Sequence, residues 1–558
     1  MALTIEALNP AAVSAVEQWL DAERAMHAVR TSAKTGEVAA WRIPANDARW
    51  PELRVGLPVN FPAVPPSVSV SKNLHLQKPH VEADGQLCHG IAASADGVAL
   101  LKDVLRQVKY LVESSESPAW CEEEFHRERA SYWFWFTVQR RSGTGAQPAT
   151  PLRVVEASDD GCVSPVLVIT GQAAGKKRRN LLAFAGKSRE QLASFVTRHE
   201  INANQISYGT ALFIGVSTGT RWTPSLWPND YAGLRALATD CGFGLQFDEW
   251  WQHPDRKVDA QSYVVFRVDG TFFAYQLSAP ILPKITPPQV EPVRTERHDT
   301  LWCLSRDHES QRVTHRLQQR VVLLGCGSVG SHLASHLARA GFGHIDLVDP
   351  DTFGPENVAR HMLGMGDIGK PKTIAVTTRL KRDVPGIEVV PHTEDAIAWL
   401  KGRDLSDVAL IIDATGEQGV RSAIRTLASG IPLATVWAEP FCAAAHVVLL
   451  PDAAMWPNSD PVDRHVNAYD WQEDTRVALP ACGAGFHPYA DADIAQVSSF
   501  CAEKVVAALD SPHIEALVWS QVRAIPVAAF QSQAQPRITL PTGLSLGQLK
   551  RNWADIGA

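Results

Sequence analysis

The sequence predicts a multidomain α/β protein, and three observations carry that expectation. The chain has 558 residues, more than one hydrophobic core accommodates, so three or four domains are expected. Arg320 to Lys372 contains a complete strand–turn–helix–strand pattern. Two segments of linker composition divide the chain: 141–150 (RSGTGAQPAT) and Pro283–Pro292 (PKITPPQVEP). The expected units are 1–140, a linker at 141–150, an α/β region at 151–290, and a C-terminal unit at 291–558.

The central pattern starts with the apolar, partly β-branched run Val321–Leu324, a buried-strand signal. Gly325, Gly327 and Gly330 follow, then Leu333, Leu337 and Ala340 at helical spacing. A second apolar strand, His344–Val348, ends in Asp349. This is a βαβ unit with G-x-G-x-x-G in the context that a Rossmann-like nucleotide site requires. Glycine allows a positive φ in the turn and lets a phosphate approach the backbone. The helix N-terminus offers free N–H groups and partial positive charge, and Asp349 is placed for ribose hydroxyls.

An NAD(P)-binding domain shares all of these features. The residues that follow favour different chemistry: Asp351, Asn357, Arg360, the segment Gly369-Lys370-Pro371-Lys372, and the strand VALIID ending in Asp413. Arginine and lysine hold phosphate oxygens and neutralise charge on a leaving pyrophosphate. An acid at a strand's C-terminal end holds Mg²⁺. The set suits attack of a carboxylate on the α-phosphate of ATP rather than hydride transfer.

Composition bounds the alternatives. Hydrophobic content of 45% and charged content of 20% are ordinary for a globular protein, and the net charge of −7 gives no basic excess for nucleic acid or an anionic membrane. The first residues lack a signal-peptide pattern, and no apolar run is long enough to span a bilayer. Nine scattered cysteines without a C-x-x-C pair predict neither a disulfide framework nor a zinc site. A reducing cytoplasm is the expected compartment.

Up to residue 140 the sequence predicts a leading helix, short strands with proline-marked turns, a loop holding Cys88, and helices at about 99–114 and 122–136. Cys88 is read either as a small buried hydrophobe or as a reactive thiol; Gly85, Gly90, His80 and His89 around it favour a loop over a strand core. The middle region alternates strand and helix patterns without a catalytic constellation. Lys176–Arg179 reads as a solvated turn, and Trp227, Trp250 and Trp251 as core or interface aromatics.

The motifs of the C-terminal unit resemble the adenylation domain of ubiquitin-activating enzymes and of ThiF-like sulfur-carrier adenylyltransferases, over about 312–509. The resemblance implies that Gly325, Gly327, Gly330, Asp349, Asp351, Asn357, Arg360, Lys372 and Asp413 form an ATP site, with Asp413 on Mg²⁺ and Lys372 preferred to Lys370 because it follows the proline. It also implies a thioester-forming cysteine near the end of the domain. Cys482, between a proline and a glycine at a loop–helix entry, is the favoured candidate. Cys442 is the alternative, while Cys501 and Cys326 fit packing roles. Arg306 and Arg312 are candidates for the arginine that a partner subunit donates in this family.

The N-terminal unit is similar to the ubiquitin-conjugating fold. Gly85-Gln86-Leu87-Cys88 matches its Gly-x-hydrophobic-Cys step, while Pro79-His80-Val81 stands where His-Pro-Asn is expected, without the asparagine. His80 and His89 are the candidate substitutes. The order of units resembles the activating–conjugating fusion proteins of bacterial CBASS anti-phage systems. That resemblance implies ATP-dependent activation of a partner's C-terminus, a thioester on Cys482, transfer to Cys88 and conjugation to a target lysine amine. The implied partner is the C-terminal tail of a cGAS/DncV-like nucleotidyltransferase or a ubiquitin-like protein, and the implied assembly is a homodimer. A sulfur-carrier adenylyltransferase and a non-catalytic interaction protein are the competing classes.

Overall fold

The computed structural model describes residues 9–45, 51–144, 150–171, 179–198, 202–253, 261–278, 288–306, 308–471, 475, 477–478, 485–486, 489–524 and 534–556. The chain forms two compact units, 1–194 with 201–297, and 195–200 with 298–558.

In the first unit, helix Pro10–Ala22 starts on the cap of Asn9, whose side chain accepts the Ala12 N–H, with Pro10 at the first helical position. Val16 and Leu20, one turn apart, are its buried residues. A four-stranded antiparallel sheet follows in sequential order: Val29–Thr31, Glu37–Ile43, Leu53–Pro58 and Ser67–Ser69. Helix Gly97–Ser114 begins where Asp96 caps the N–H groups of Val98 and Ala99, and it buries Leu100, Leu101, Val104, Val108 and Leu111. Val81 and Leu87 sink into the same core and bridge one another. The loop that carries Cys88 is therefore anchored immediately before the cysteine.

The remainder of this unit is built on an eight-stranded mixed sheet. Its spatial order is Gln289–Val293, Thr271–Ser278, Ser262–Val268, Ile206–Gly215, Val163–Gly171, Arg179–Ala185, Leu152–Val154 and Thr295–Arg297. The two outermost strands are separated in sequence only by Arg294. One run, 289–297, thus supplies both edge strands of the sheet. The sequence assigned part of this run to a linker. Its prolines mislead because Pro292 sits on the outermost strand, where a missing N–H is tolerated; residues 279–287 lie outside the described set.

A second difference concerns 129–144. The sequence ends the first unit at 140 and opens a linker at 141, whereas helix Arg129–Thr144 runs through the first four linker positions. Tyr132 and Trp133 on this helix, with Phe125 before it, share a core with Leu212, Phe266 and Phe273 of the mixed sheet. The Trp133 indole packs edge-on against Trp227, Phe273 and Tyr275, and its Nε1–H donates to the Val293 carbonyl at 2.9 Å. Trp227 and Trp250 are buried and Trp251 packs against the same cluster. The Lys176–Arg178 part of the basic run lies outside the described residues.

The second unit contains a sheet of eight strands. Five are parallel, in the order Glu388–His392, His344–Val348, Arg320–Leu324, Val408–Asp413 and Leu433–Ala438. Three antiparallel strands extend it: Ala444–Leu450, Leu517–Arg523 and Leu546–Asn552. Val321, Val322, Leu323 and Leu324 are all fully buried, as expected for a parallel strand covered on both faces. The chain winds from the Arg320–Leu324 strand outward on one side, then returns to Val408–Asp413 on the other. The crevice between those two strand ends is the topological switch point at which open α/β sheets bind ligands. Among the described residues no helix is long and apolar enough to cross a membrane.

Trp133→Ala is expected to lower the stability of the first unit by about 3–5 kcal/mol, the cost of a truncated buried aromatic, together with the lost bond to Val293. A urea titration followed by tryptophan fluorescence checks this. Substitutions of exposed residues in Gly97–Ser114, such as Lys102→Ala, are expected to leave the midpoint close to wild type.

Candidate functional site

The strand end and glycine turn set the geometry of the C-terminal crevice. Gly325 has φ +90°, and a side chain there would come within 2.9 Å of the Ala414 backbone. A Cβ on Gly330 would meet the Gly325 carbonyl oxygen at 2.0 Å, so the helix packs against the turn only because this residue is glycine. Gly327, by contrast, faces open space and caps the thirteen-residue helix Ser328–Ala340. Its surroundings leave room for a phosphate beside the helix N-terminus.

Two buried acids flank this turn. Asp349 Oδ2 accepts the Cys326 N–H at 2.6 Å and Oδ1 accepts the Asp351 N–H at 2.8 Å. Burial pushes its carboxyl above the usual range, opposed by those two bonds and by the Lys372 charge. Asp413 is completely buried at the end of the neighbouring strand. Its Oδ1 accepts the Thr415 hydroxyl at 2.6 Å and the Thr415 N–H at 3.0 Å. Its Oδ2 has no protein partner, and burial raises its carboxyl pKa. A buried carboxylate oxygen with an unused valence at a strand end fits a Mg²⁺ ligand.

The chain between these acids is folded back onto the turn. Phe353 N–H donates to the Lys370 carbonyl and Lys372 N–H to the Asp351 carbonyl, both at 2.9 Å, and Gly369 N–H donates to the Phe353 carbonyl. This clamp buries the Lys372 side chain and sets its Nζ 2.6 Å from Asp351 Oδ2. Lys370 faces outward and pairs with Asp367 at 2.9 Å. Asn357 Oδ1 accepts the Gly354 N–H at 3.0 Å and so shapes the loop. The Arg360 guanidinium lies over the Tyr489 ring at 5.6 Å, and the Tyr489 hydroxyl is 2.8 Å from Ser328 Oγ at the start of the glycine helix. Arg306 ends the short helix Thr300–Ser305 in a left-handed conformation, and Arg312 pairs with Glu309 at 3.2 Å.

Two residues of this site escaped sequence reasoning. Tyr489 lies in a polar stretch with no motif to mark it. His361, directly after Arg360, is buried; its Nε2 is 2.8 Å from the Cys326 carbonyl and its Nδ1 accepts the Leu363 N–H. Those contacts fix the neutral Nε2–H tautomer, and burial lowers its pKa to about 4. It is a second brace on the glycine turn, opposite Asp349.

The cysteines differ sharply. Cys482 lies outside the described residues. Cys442 is buried in a tight turn at φ +51°, and burial pushes its thiol up to about 12. Cys326 and Cys501 are buried, with thiols raised by burial. Cys88 is exposed. Its N–H donates to the His80 carbonyl at 2.9 Å. Its thiol is raised by partial burial and by the charges of Glu82 and Glu128. His89 is occupied by the loop itself: Nε2 lies 3.1 Å from the Pro66 carbonyl, and Nδ1 accepts the Ile91 N–H. His80 has φ +60°, and its ring Nε2 is 3.1 Å from Glu124 Oε2. His80, Glu124 and Glu128 offer ligand atoms within 4.8 Å of one another, but Arg127 already neutralises Glu124 at 2.5 Å, which disfavours a metal there.

The depressed His361 pKa has a defined sign. The unfolded imidazole titrates near 6.5 and the folded one near 4, so its stabilising contribution is present above pH 6.5 and is lost as the pH falls to 4. The loss is on the order of 3 kcal/mol. His361→Gln, which keeps a donor for the Cys326 carbonyl, is expected to lose less stability than wild type across that window, read from urea midpoints at each pH.

Residues 306–517 match the ThiF family. The ATP-dependent ubiquitin transferase-like protein Cap2 of Vibrio cholerae is 28% identical over 230 residues, 38% of each chain. Its Pseudomonas aeruginosa counterpart is 31% identical over 136 residues, 24% of each chain. The adenylyltransferase and sulfurtransferase UBA4 of Yarrowia lipolytica is 30% identical over 122 residues, 21% of this chain and 30% of that protein. The matches thus span less than two fifths of the length of these relatives. The chain carries a ThiF family domain and is a relative of the bacterial ATP-dependent ubiquitin transferase-like Cap2 proteins.

Proposed function

We propose that this protein uses ATP to adenylate the C-terminal carboxylate of a partner protein and passes the acyl group through two cysteines to an amine. The observation that carries this reading is the convergence of the glycine turn, Asp349, Lys372 and the orphaned Asp413 Oδ2 on one strand-end crevice. Asp349 positions the turn and offers its remaining lone pairs to ribose hydroxyls. The N-terminus of Ser328–Ala340 and the Lys372 and Arg360 charges bind phosphate and stabilise negative charge on the departing pyrophosphate. Asp413 would hold Mg²⁺, which supplies further charge neutralisation when bound.

Cys482 takes the acyl group as a thioester, and transthiolation carries it to Cys88. Each step forms one acyl bond as it breaks another, which divides a difficult transfer into easier ones. Burial of Cys442 supports Cys482 as the first acceptor. The leading helix, four-stranded antiparallel sheet, anchored cysteine loop and following helix support a ubiquitin-conjugating-like role for residues 1–140. In this reading the partner is the C-terminal tail of a CBASS nucleotidyltransferase or a ubiquitin-like protein. The targets are lysine amines, the assembly is a homodimer, and the compartment is the cytoplasm.

Non-reducing electrophoresis with ATP and a candidate partner tests the sequence of steps. Wild type is expected to form thiol-sensitive adducts, Cys88→Ala to stall on Cys482, and Cys482→Ala to form none while still exchanging pyrophosphate into ATP. Lys372→Ala and Asp413→Ala are expected to lower that exchange by about 100-fold or more. An adduct that survives both cysteine substitutions overturns the mechanism. Sulfur transfer that persists in Cys88→Ala assigns the chain to the sulfur-carrier class that the UBA4 similarity keeps in view.

A further inference from the structure

Away from the cysteine loop, the first unit holds a cavity of about 470 Å³ that no step of the proposed reaction uses. It is lined by residues of helix Pro10–Ala22, the turn Arg24–Met26, the adjoining ends of strands Glu37–Ile43 and Leu53–Pro58, and helix Gly97–Ser114. Its volume falls within the range of small-molecule sites, roughly 300–1,000 Å³. Ile43 and Leu53 are register partners across the two strands, and both are buried in its wall. Trp19, Met26 and Leu105, each half-buried, add to the apolar lining. The unbranched thioether of Met26 adapts to the shape of an apolar ligand.

The charges on this lining are unevenly signed. Lys102, Arg106 and Lys109 stand at successive turns of helix Gly97–Ser114, on one stripe, while Glu23 is the acid among the described lining residues. All four are exposed. Lys102 Nζ lies 5.3 Å from the centroid of the Trp19 ring, so a cation stands at the edge of the apolar wall. Arg106 pairs with Asp103 at 2.7 Å and Lys109 with Glu113 at 3.7 Å, both along the same helix. Exposed pairs of this kind contribute at most about 1 kcal/mol, so an anion at the cavity mouth competes for these cations. The cavity thus joins an apolar interior to a cationic rim. Burial of an apolar body supplies affinity, and the rim selects the sign of the head group.

We propose that this cavity binds a small amphipathic carboxylate, with its apolar body against Trp19, Ile43, Leu53 and Leu105 and its carboxylate toward Lys102 and Arg106. Those two cations are one helical turn apart and flank the same end of the ligand. An amphipathic cation of the same length meets like charge at the rim. A short polar carboxylate meets the rim but leaves the apolar wall uncovered. Neither gains both contributions, so the site discriminates by head-group sign and by apolar length together. The site is independent of the adenylation and thioester steps, and failure of either reading leaves the other standing.

Isothermal titration calorimetry of the full-length protein with decanoate, kept below its micelle concentration, tests this, with decylamine and acetate as comparisons. Decanoate is expected to bind saturably, with one site per chain, and decylamine and acetate to bind at least about tenfold more weakly. Lys102→Ala combined with Arg106→Ala is expected to weaken decanoate binding about tenfold and to leave the urea midpoint close to wild type. Leu105→Trp, which places a larger ring in the cavity from a half-exposed position, is expected to abolish binding while the circular dichroism spectrum stays that of the wild type. Decanoate that fails to bind, binds no better than decylamine, or binds the doubly substituted protein as tightly as wild type overturns the proposal.

Discussion

The Asp349 carboxylate accepts the Cys326 N–H with one oxygen and the Asp351 N–H with the other, and the nucleotide-side geometry depends on those two bonds. They tie the glycine turn after one strand to the end of the next. The second bond also fixes the direction in which the chain leaves Asp349, which carries Asp351 to Lys372. His361 braces the turn from the other side through the Cys326 carbonyl. A peptide held at both its N–H and its carbonyl neighbours has little freedom left, so Gly327 and the helix behind it keep a fixed attitude toward a phosphate. Burial makes these bonds matter: away from water an unpaired amide or carboxylate is costly, and each partner enforces the position of the other.

The strand-end crevice and the surroundings of Cys88 differ in their electrostatics. The crevice of the ThiF family domain combines a helix N-terminus with Lys372 and Arg360, a set suited to triphosphate. Around Cys88 the charges that act on the thiol are those of Glu82 and Glu128, while Glu124 is paired with His80 and Arg127.

Much of the ThiF family domain was legible because its sequence signals are local. The apolar run Val321–Leu324, the glycines behind it and the acids at 349 and 413 each announce themselves within a few residues, and the strand boundaries follow within one position. The bracing residues were not legible. His361 and Tyr489 reach the turn from 30 or more positions away, and nothing in their immediate sequence distinguishes a brace from a solvated side chain. The sequence read one helix at about 122–136 where the structure has two, Pro118–Arg127 and Arg129–Thr144, and a helical pattern does not name the sheet it covers. The run 289–292 failed for a related reason: its proline resembles a spacer until one knows that the strand lies at a sheet edge.

The sequence by itself determined the chemistry of single positions: which residues can turn tightly, which can bind phosphate, and which can carry a thioester. Those properties belong to the side chain and its nearest neighbours. Only the tertiary structure decided which of them share a site. It turned Lys372 inward and Lys370 outward through the backbone clamp on Asp351, left Asp413 Oδ2 buried without a protein partner, and sealed Cys442 in the core. It also placed Glu128, the residue that caps helix Pro118–Arg127, where its charge helps to raise the Cys88 thiol. Burial and long-range contact set these outcomes, because both depend on the packing of segments that are remote along the chain.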